Sequence, residues 1–442
     1  MTTLVTLGLV PAAGICEIAA SALNYGVELF SADFSDAYFH FRIHPAEWRH
    51  TVSPDVTANS KWMLQWIHMC FGLKAAQLIW CRLAAAVMRL LQGAISFTEG
   101  LTQCYLDNPS MIVAGTAEQR RKIIAFILLT LRMLGIEIAW HKASRGMSCT
   151  WIGVLFTLSL QKMHLVVTLP EKTLEGLRSE ASAIRQQAVV SYARLRRFTG
   201  KLSWVSGVLP RTRWIVRVFY AVLKAADKER PSREDRGVER KHTPEHLVHT
   251  KRCELALIWI DAFWQHGNKM ITRIFSFTAA LKDLAIIVDA SPWGLGGILV
   301  HIATGKLVQV AASRITEADE KQLGVKIGFA GSQGVLETLA IWIFLRLWRR
   351  FFVDRQRVPI LRSDSRAAIS SVEKLASGTM HMNHLSAELA LMMEVNDILT
   401  PELRHLPGKL DVCADYARRS IYAPAANQEP LPEELTGVRI RD

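Results

Sequence analysis

The sequence predicts a chain of mixed α and β modules: an α+β part with paired antiparallel strands, a helical stretch, and a closing α/β part. Three patterns predict it. Gln103 to Val113 places two apolar flanks around a polar turn, the pattern of a β-hairpin. Residues 169–223 keep helical periodicity, with Pro170 as a start signal and Pro210 as a break. In the last third, apolar strand-like runs alternate with amphipathic stretches. The 442 residues give room for roughly three domains of about 150 residues each. A hydrophobic content of 50% against 21% charged supplies ample core.

Met1 to Val10 is apolar, but no Lys or Arg occurs from Met1 to Tyr25, so this is a poor secretory signal. Val27 to His40 mixes aromatic and β-branched residues and reads as a strand running into a turn or short helix, with Asp33 near the strand end. The hairpin at 103–113 carries Asp107 at its tip. Pairing the two segments would bring Asp33 and Asp107 together, and two carboxylates in one cleft need a cation. On the hairpin alone, Asp107 is an ordinary turn acid. The most apolar stretch, Ile123 to Trp140, is interrupted by Arg132 and Glu137; it reads as a buried helix followed by a strand, not a membrane span.

Residues 181–226 contain no Asp or Glu. They carry Arg185, Arg194, Arg196, Arg197, Lys201, Arg211, Arg213, Arg217 and Lys224, interleaved with Tyr192, Phe198, Trp204, Trp214 and Phe219. Such a run is usually a solvated helix face. The lack of any acid over this length favours phosphate contacts, while the aromatics read as core. The whole chain has 53 Lys and Arg against 40 acids, a net charge of +13, which favours a polyanionic partner. Seven dispersed cysteines without a CxxC pair fit reduced thiols in cytoplasm or nucleus, not a secreted disulfide framework. Residues 226–250 read as an exposed linker, 251–280 as an amphipathic helix and a strand, and 317–334 as a polar insertion.

Four acids then occupy four separate elements. Asp289 ends the run Leu284-Ala285-Ile286-Ile287-Val288, Glu337 opens an amphipathic stretch, Asp364 follows Val358 to Ser363, and Asp415 lies in Asp411-Val412-Cys413-Ala414-Asp415. Carboxylates at the ends of apolar strands are costly unless something positive neutralises them. Two Mg²⁺ ions would do so, since hard oxygen ligands suit Mg²⁺ and a metal pair clamps the attacking and leaving oxygens of a phosphodiester. Four unrelated solvent carboxylates are the alternative.

The order strand-Asp, helix-Glu, strand-Asp, helix-Asp resembles ribonuclease H. Asp289-Ala-Ser-Pro-Trp-Gly, Arg362-Ser-Asp-Ser-Arg-Ala-Ala and His405-Leu-Pro-Gly-Lys followed by Ala414-Asp415 are similar to the ribonuclease H of retrotransposon polyproteins. The resemblance implies that Asp289, Glu337, Asp364 and Asp415 hold two metals and cut the RNA strand of an RNA–DNA hybrid. Asp411 is the rival for the fourth place, and His405 would assist proton transfer or product release. Upstream, Asp33-Phe-Ser-Asp-Ala-Tyr, Phe71-Gly-Leu-Lys-Ala-Ala, Tyr105-Leu-Asp-Asn, Leu134-Gly-Ile and Trp151-Ile-Gly-Val resemble, in order, the motifs of reverse transcriptases. The whole is similar to the polymerase part of DIRS-like and long-terminal-repeat retrotransposons.

The resemblance implies an α+β palm with an antiparallel sheet and truncated fingers over 1–168, a helical thumb over 169–225, and a linker and connection over 226–280. A ribonuclease H-like domain with a mixed sheet would follow over 281–422 and a disordered tail over 423–442. It implies Mg²⁺, two per active site with Mn²⁺ as a substitute, held by Asp33, Asp107 and Asn108. The implied partners are an RNA template, a DNA primer, RNA–DNA hybrid and deoxynucleoside triphosphates. Tyr38 would exclude a 2′-hydroxyl, or is a core aromatic; Gly72 would let backbone approach template or nucleotide; Lys74 is a phosphate contact or a solvated lysine. Arg194, Arg196, Arg197 and Lys201 would grip the primer–template duplex.

Three departures stand out. Asn108 replaces a second Asp, which lowers metal affinity; Gln77 replaces a common Pro; and few residues precede Asp33, with no cation among them, so the fingers look truncated. Three functional states follow: both activities, hybrid cleavage alone, or a nucleic-acid-binding relic or adopted protein without chemistry.

Overall fold

The computed structural model describes residues 10–22, 26–54, 62–228, 246–265, 272–277, 280–355 and 357–407. It divides into two compact units, Met1–Thr173 with Thr272–Thr278, and Leu174–Ile271 with Ala279–Asp442. The fold mixes helices with several antiparallel sheets and one mixed sheet.

In the first unit, helix α1 (Val10–Ser21) precedes β1 (Val27–Ser31). Strand β1 lies between two partners in its sheet, and Val27, Leu29, Phe30 and Ser31 are all buried, so burial falls on both faces and does not alternate. Its one carboxylate, Glu28, is held by Arg145 at 2.7 Å and Arg120 at 3.4 Å, and these guanidiniums keep it below the usual carboxylate range. Strands β2 (Val52–Pro54) and β3 (Met63–Gln65) form a small ribbon. Helix α2 (Ala76–Gly93) buries Trp80, Ala84, Val87, Met88 and Leu91, one helical stripe. The expected hairpin is β4 (Gly100–Tyr105) and β5 (Asn108–Ala114), joined by Leu106 and Asp107 alone.

A capping box, Thr116 with Gln119, opens α3 (Ala117–Met133). Helix α3 is not buried as the sequence reading expects: Ile124, Ile127 and Leu131 face the core, while Phe126, Leu129 and Met133 are exposed. The strand expected after it shrinks to one bridge, Ile138 with Phe34, because the chain turns into a 3-10 helix at Trp140–Lys142. Strand β6 (Ser144–Gly146) completes the order β4-β5-β1-β6. A second antiparallel sheet contains β7 (Ser148–Trp151), β8 (Val154–Ser159), β9 (His164–Thr168) and β12 (Thr272–Ser276), in the order β12-β9-β8-β7.

The second unit begins with α4 (Glu171–Arg185), α5 (Tyr192–Val208) and α6 (Arg213–Lys228), with Pro210 at the break between the last two. Phe198 and Phe219 meet edge to face at 5.5 Å and are fully buried, so these aromatics are core. The ribbon β10 (Val189–Ser191) with β11 (Leu247–His249) and helix α7 (Glu254–Gln265) follow.

The mixed sheet has five strands: β13 (Leu284–Ala290), β14 (Gly294–His301), β15 (Leu307–Arg314), β16 (Ile360–Ser363) and β17 (Glu402–His405). Their order is β15-β14-β13-β16-β17; β13 to β15 pair antiparallel, and β13, β16 and β17 run parallel. Helices α8 (Glu317–Leu323), α9 (Gln333–Leu347), α10 (Arg366–Lys374) and α11 (Met380–Val395) belong to this part; α9 packs on β13 and β14, α10 on β16 and β17, and α11 on both helices. The Phe344 ring of α9 lies directly on Gly297 of β14, where a Cβ would sit 2.6 Å from it, so only glycine admits this helix so close to the sheet. The helical part shares this core: Asn383 donates to the Trp214 carbonyl at 3.1 Å, and Arg211 pairs with Glu394. Asp411, Asp415 and the tail expected from 423 lie outside the described residues, as does most of the expected linker.

Candidate functional site

The first group of predicted residues gathers at one end of the sheet β4-β5-β1-β6. Pairing of β1 with β5 runs to Ser31 opposite Ser110. Beyond it the Ala32 amide donates to the Pro109 carbonyl at 3.1 Å and the Phe34 amide to the Asp107 carbonyl at 2.7 Å. Asp33 therefore lies beside the hairpin tip. That tip is a two-residue turn in which Leu106 has φ 55°, a left-handed conformation costly for a branched side chain. It is held in place because the Leu106 carbonyl accepts from the Trp80 indole at 2.9 Å and the Cys104 thiol at 3.1 Å. Burial, with the charge of Asp107 beside it, pushes the Cys104 thiol up to about 12.

Two contacts at this tip were not visible in the motif spacing. Lys142 donates to Asp33 Oδ2 at 2.7 Å, and Asp33, then Asp107, raise its pKa. Asn108 turns its amide nitrogen, not its oxygen, toward Asp107 Oδ1, at 2.9 Å. Tyr38 is buried, edge-on to Phe71 at 4.8 Å and to Trp80 at 6.5 Å; burial first and Asp107 second raise its pKa. Gly72, at φ 96°, has open space where a Cβ would stand, and Lys74 is exposed.

The second group lies at one end of the mixed sheet. Asp289 and Asp364 each stand two residues beyond the paired Ile287 and Arg362 of the parallel strands β13 and β16. Helix α9 starts at the same end: Gln333 donates to the Ala290 carbonyl at 2.6 Å and to Glu337 Oε1 at 3.1 Å. Burial raises the Glu337 pKa; hydrogen bonds from Ser365 and Gln333 oppose the shift, and the charge of Asp364 adds to it. His405 is paired opposite Ser363, and its Nε2–H donates to the Asp364 carbonyl at 3.0 Å. Three carboxylates and a histidine from four separate segments thus share one sheet end. All the carboxylate donors are hard oxygens, the kind Mg²⁺ takes. Among the described residues no three His, Cys, Asp or Glu side chains converge closely enough to hold a metal by themselves.

The basic stretch is acid-free in sequence but not in space. Arg194 is engaged by Glu180 at 2.8 Å and Gln187 at 3.2 Å, Arg185 by Asp261 at 2.6 Å, and Arg211 by the buried Glu394. Arg196, Arg197 and Lys201 are exposed on α5. No helix among the described residues is long and apolar enough to cross a membrane.

No family model and no curated protein matches the chain. Among solved structures it is similar to the foamy viral protease-reverse transcriptase in complex with an RNA/DNA hybrid, at 11% identity over 88% of this chain and 45% of that one, with a TM-score of 0.42. Two further structures of that protein are similar at 12% identity and a TM-score of 0.42. One is a dRH form with double-stranded DNA, matched over 87% of this chain and 58% of that one. The other, also with double-stranded DNA, is matched over 86% and 67%. The chain thus spans about half the length of the first two.

Proposed function

We propose that this chain is the polymerase and ribonuclease portion of a retroelement replication protein, and that hybrid-directed RNA cleavage is its stronger activity. The observation that carries this reading is the gathering of Asp289, Glu337 and Asp364, from a strand, a helix and a strand end, at one end of a mixed sheet. Burial and the charge of Asp364 both work against an ionised Glu337, and a cation at this end would relieve both. Asp289, Glu337 and Asp364, with Asp415, would hold Mg²⁺, which supplies charge stabilisation for phosphodiester hydrolysis. His405 commits Nε2 to the Asp364 carbonyl, so its Nδ1 is the atom that exchanges protons with the departing strand.

At the other group, Asp33 and Asp107 would bring a cation to a primer 3′-hydroxyl, and Tyr38 would act against a 2′-hydroxyl. Two observations favour weak DNA synthesis there. Lys142 already neutralises Asp33, and Asn108 brings an amide donor and no charge to Asp107. Phosphoryl transfer depends on positioned charge. A nucleic-acid-binding role without synthesis is therefore the second reading for this half.

The test uses the full chain with an RNA–DNA hybrid, the same RNA single-stranded, and Mg²⁺. Cleavage of the hybrid alone is expected, with Asp364→Asn lower by several orders of magnitude. Cleavage that persists in that variant, or in the presence of a chelator, would refute the assignment.

A further inference from the structure

The end of the mixed sheet opposite the carboxylates carries a second chemistry. Helix α9 runs from Gln333, beside Asp289 and Glu337, to Leu347, and a 3-10 turn follows at Arg349–Phe351. Glu337 and Arg349 are twelve residues apart along this line, about 18 Å at 1.5 Å per residue. Arg346, Arg349 and Arg350 are exposed there. None has an ion-pair partner among the described residues, although the neighbouring Arg355 and Arg357 are taken by Asp397 and Asp283.

The three guanidiniums are not loose. Arg346 lies over the Trp342 ring at 5.1 Å, Arg350 over Phe351 at 4.9 Å, and Arg349 is tied to the Arg346 carbonyl at 3.1 Å. One cation at a helix C-terminus is what the helix dipole favours. Three that repel one another, none with an acid partner among the described residues, exceed that need. Leu347 sits among them, half exposed. A duplex backbone offers phosphates alone, whereas unstacked nucleotides offer phosphates and apolar base faces together.

We infer that Arg346, Arg349 and Arg350, with Leu347, form a binding site for single-stranded nucleic acid, separate from the carboxylate end of the sheet. The site holds an unpaired strand flanking the hybrid: guanidiniums bind phosphates, and Leu347 with the ring edges takes base faces. The inference rests on the proposed hybrid cleavage for its biological setting, but its binding chemistry stands apart from it.

The experiment compares a blunt RNA–DNA hybrid with the same hybrid carrying a single-stranded RNA extension, on the full chain, by fluorescence anisotropy across a salt series. Single-strand contacts release about 0.7 counterion each, so three add about 2 to the salt slope. The advantage of the extended hybrid should then shrink about 18-fold for a fourfold rise in salt. In R346Q/R349Q/R350Q that advantage should vanish, with blunt-hybrid affinity and thermal stability unchanged. An unchanged advantage in the triple variant overturns the site. An equal loss on the blunt hybrid also overturns it, by making the patch a duplex contact. If neither hybrid is cut yet the extension effect obeys these rules, the cleavage reading fails and the binding site stands.

Discussion

Replacing Arg211 by Met should destabilise the second unit severely. The Arg211 side chain is 16% exposed and that of Glu394 only 7%. One guanidinium nitrogen donates to Glu394 Oε2 and the other to the Ile398 carbonyl at 2.8 Å. Burial pulls the Arg211 pKa down and pushes that of Glu394 up, with each partner opposing the other's shift. A methionine of similar length removes one charge and leaves the other buried and unpaired, which costs about 3–5 kcal/mol. At roughly 2–4 °C per kcal/mol for a unit of this size, Tm falls by about 6–20 °C.

The pH dependence has a definite sign. Glu394 has a folded pKa above its ordinary value, so its contribution to stability is complete below that ordinary value and is lost as pH rises through the folded one. Without Arg211 the folded value rises further, so the deficit should widen from mildly acidic to mildly alkaline solution. The pair R211M/E394Q should recover most of the loss, since an uncharged pair in the same space is close to neutral in cost. Thermal melts of the full chain, the two single variants and the double variant across pH are the assay. Additive losses in the double variant, or an R211M deficit that does not change with pH, would refute the reasoning.

Other outcomes follow from the two sites. Glu337→Gln should abolish hybrid cleavage yet make the protein more stable at neutral pH, because the raised carboxyl loses stability as pH rises through its folded pKa; near about pH 4 the two proteins should melt alike. Asn108→Asp should make Tm rise with added Mg²⁺ more than in the parent, and should raise primer extension, while Asp107→Asn abolishes it; no change in either readout would show that charge is not the deficit. Neutralising Arg196, Arg197 and Lys201 should lower the salt slope for duplex by up to about 3, at roughly 0.9 per contact, whereas Arg194→Gln should change it little because Glu180 already holds that guanidinium.

Local chemistry made several elements legible. Two apolar flanks around a short turn allow little but a hairpin, and Pro170 and Pro210 mark helix limits that the backbone obeys. Carboxylates at strand ends are visible because the run before each is apolar, and parallel pairing brings the ends of such runs level. Long-range pairing was not legible. Nothing near Arg211 in sequence announces Glu394, 183 positions away, and the acid-free window stops one residue short of Glu180. Likewise the exposed face of α3 follows from which side meets the core, a tertiary fact that its apolar composition conceals. The Lys142–Asp33 contact spans 109 positions and depends on the turn at Trp140–Lys142.

The thiol beneath the hairpin tip has a use of its own. Cys104 donates to the Leu106 carbonyl and keeps its proton up to about 12. Only thiolates react readily with alkylating reagents, so burial and the charge of Asp107 slow the alkylation of this sulfur in the closed structure. Lifting the turn that carries Asp107 from the Trp80 indole would remove this hold on the thiol and should speed its alkylation. The speed at which a small alkylating probe marks Cys104 is therefore a clock for how often that turn opens, and it can be read without substrate, metal or any measure of turnover.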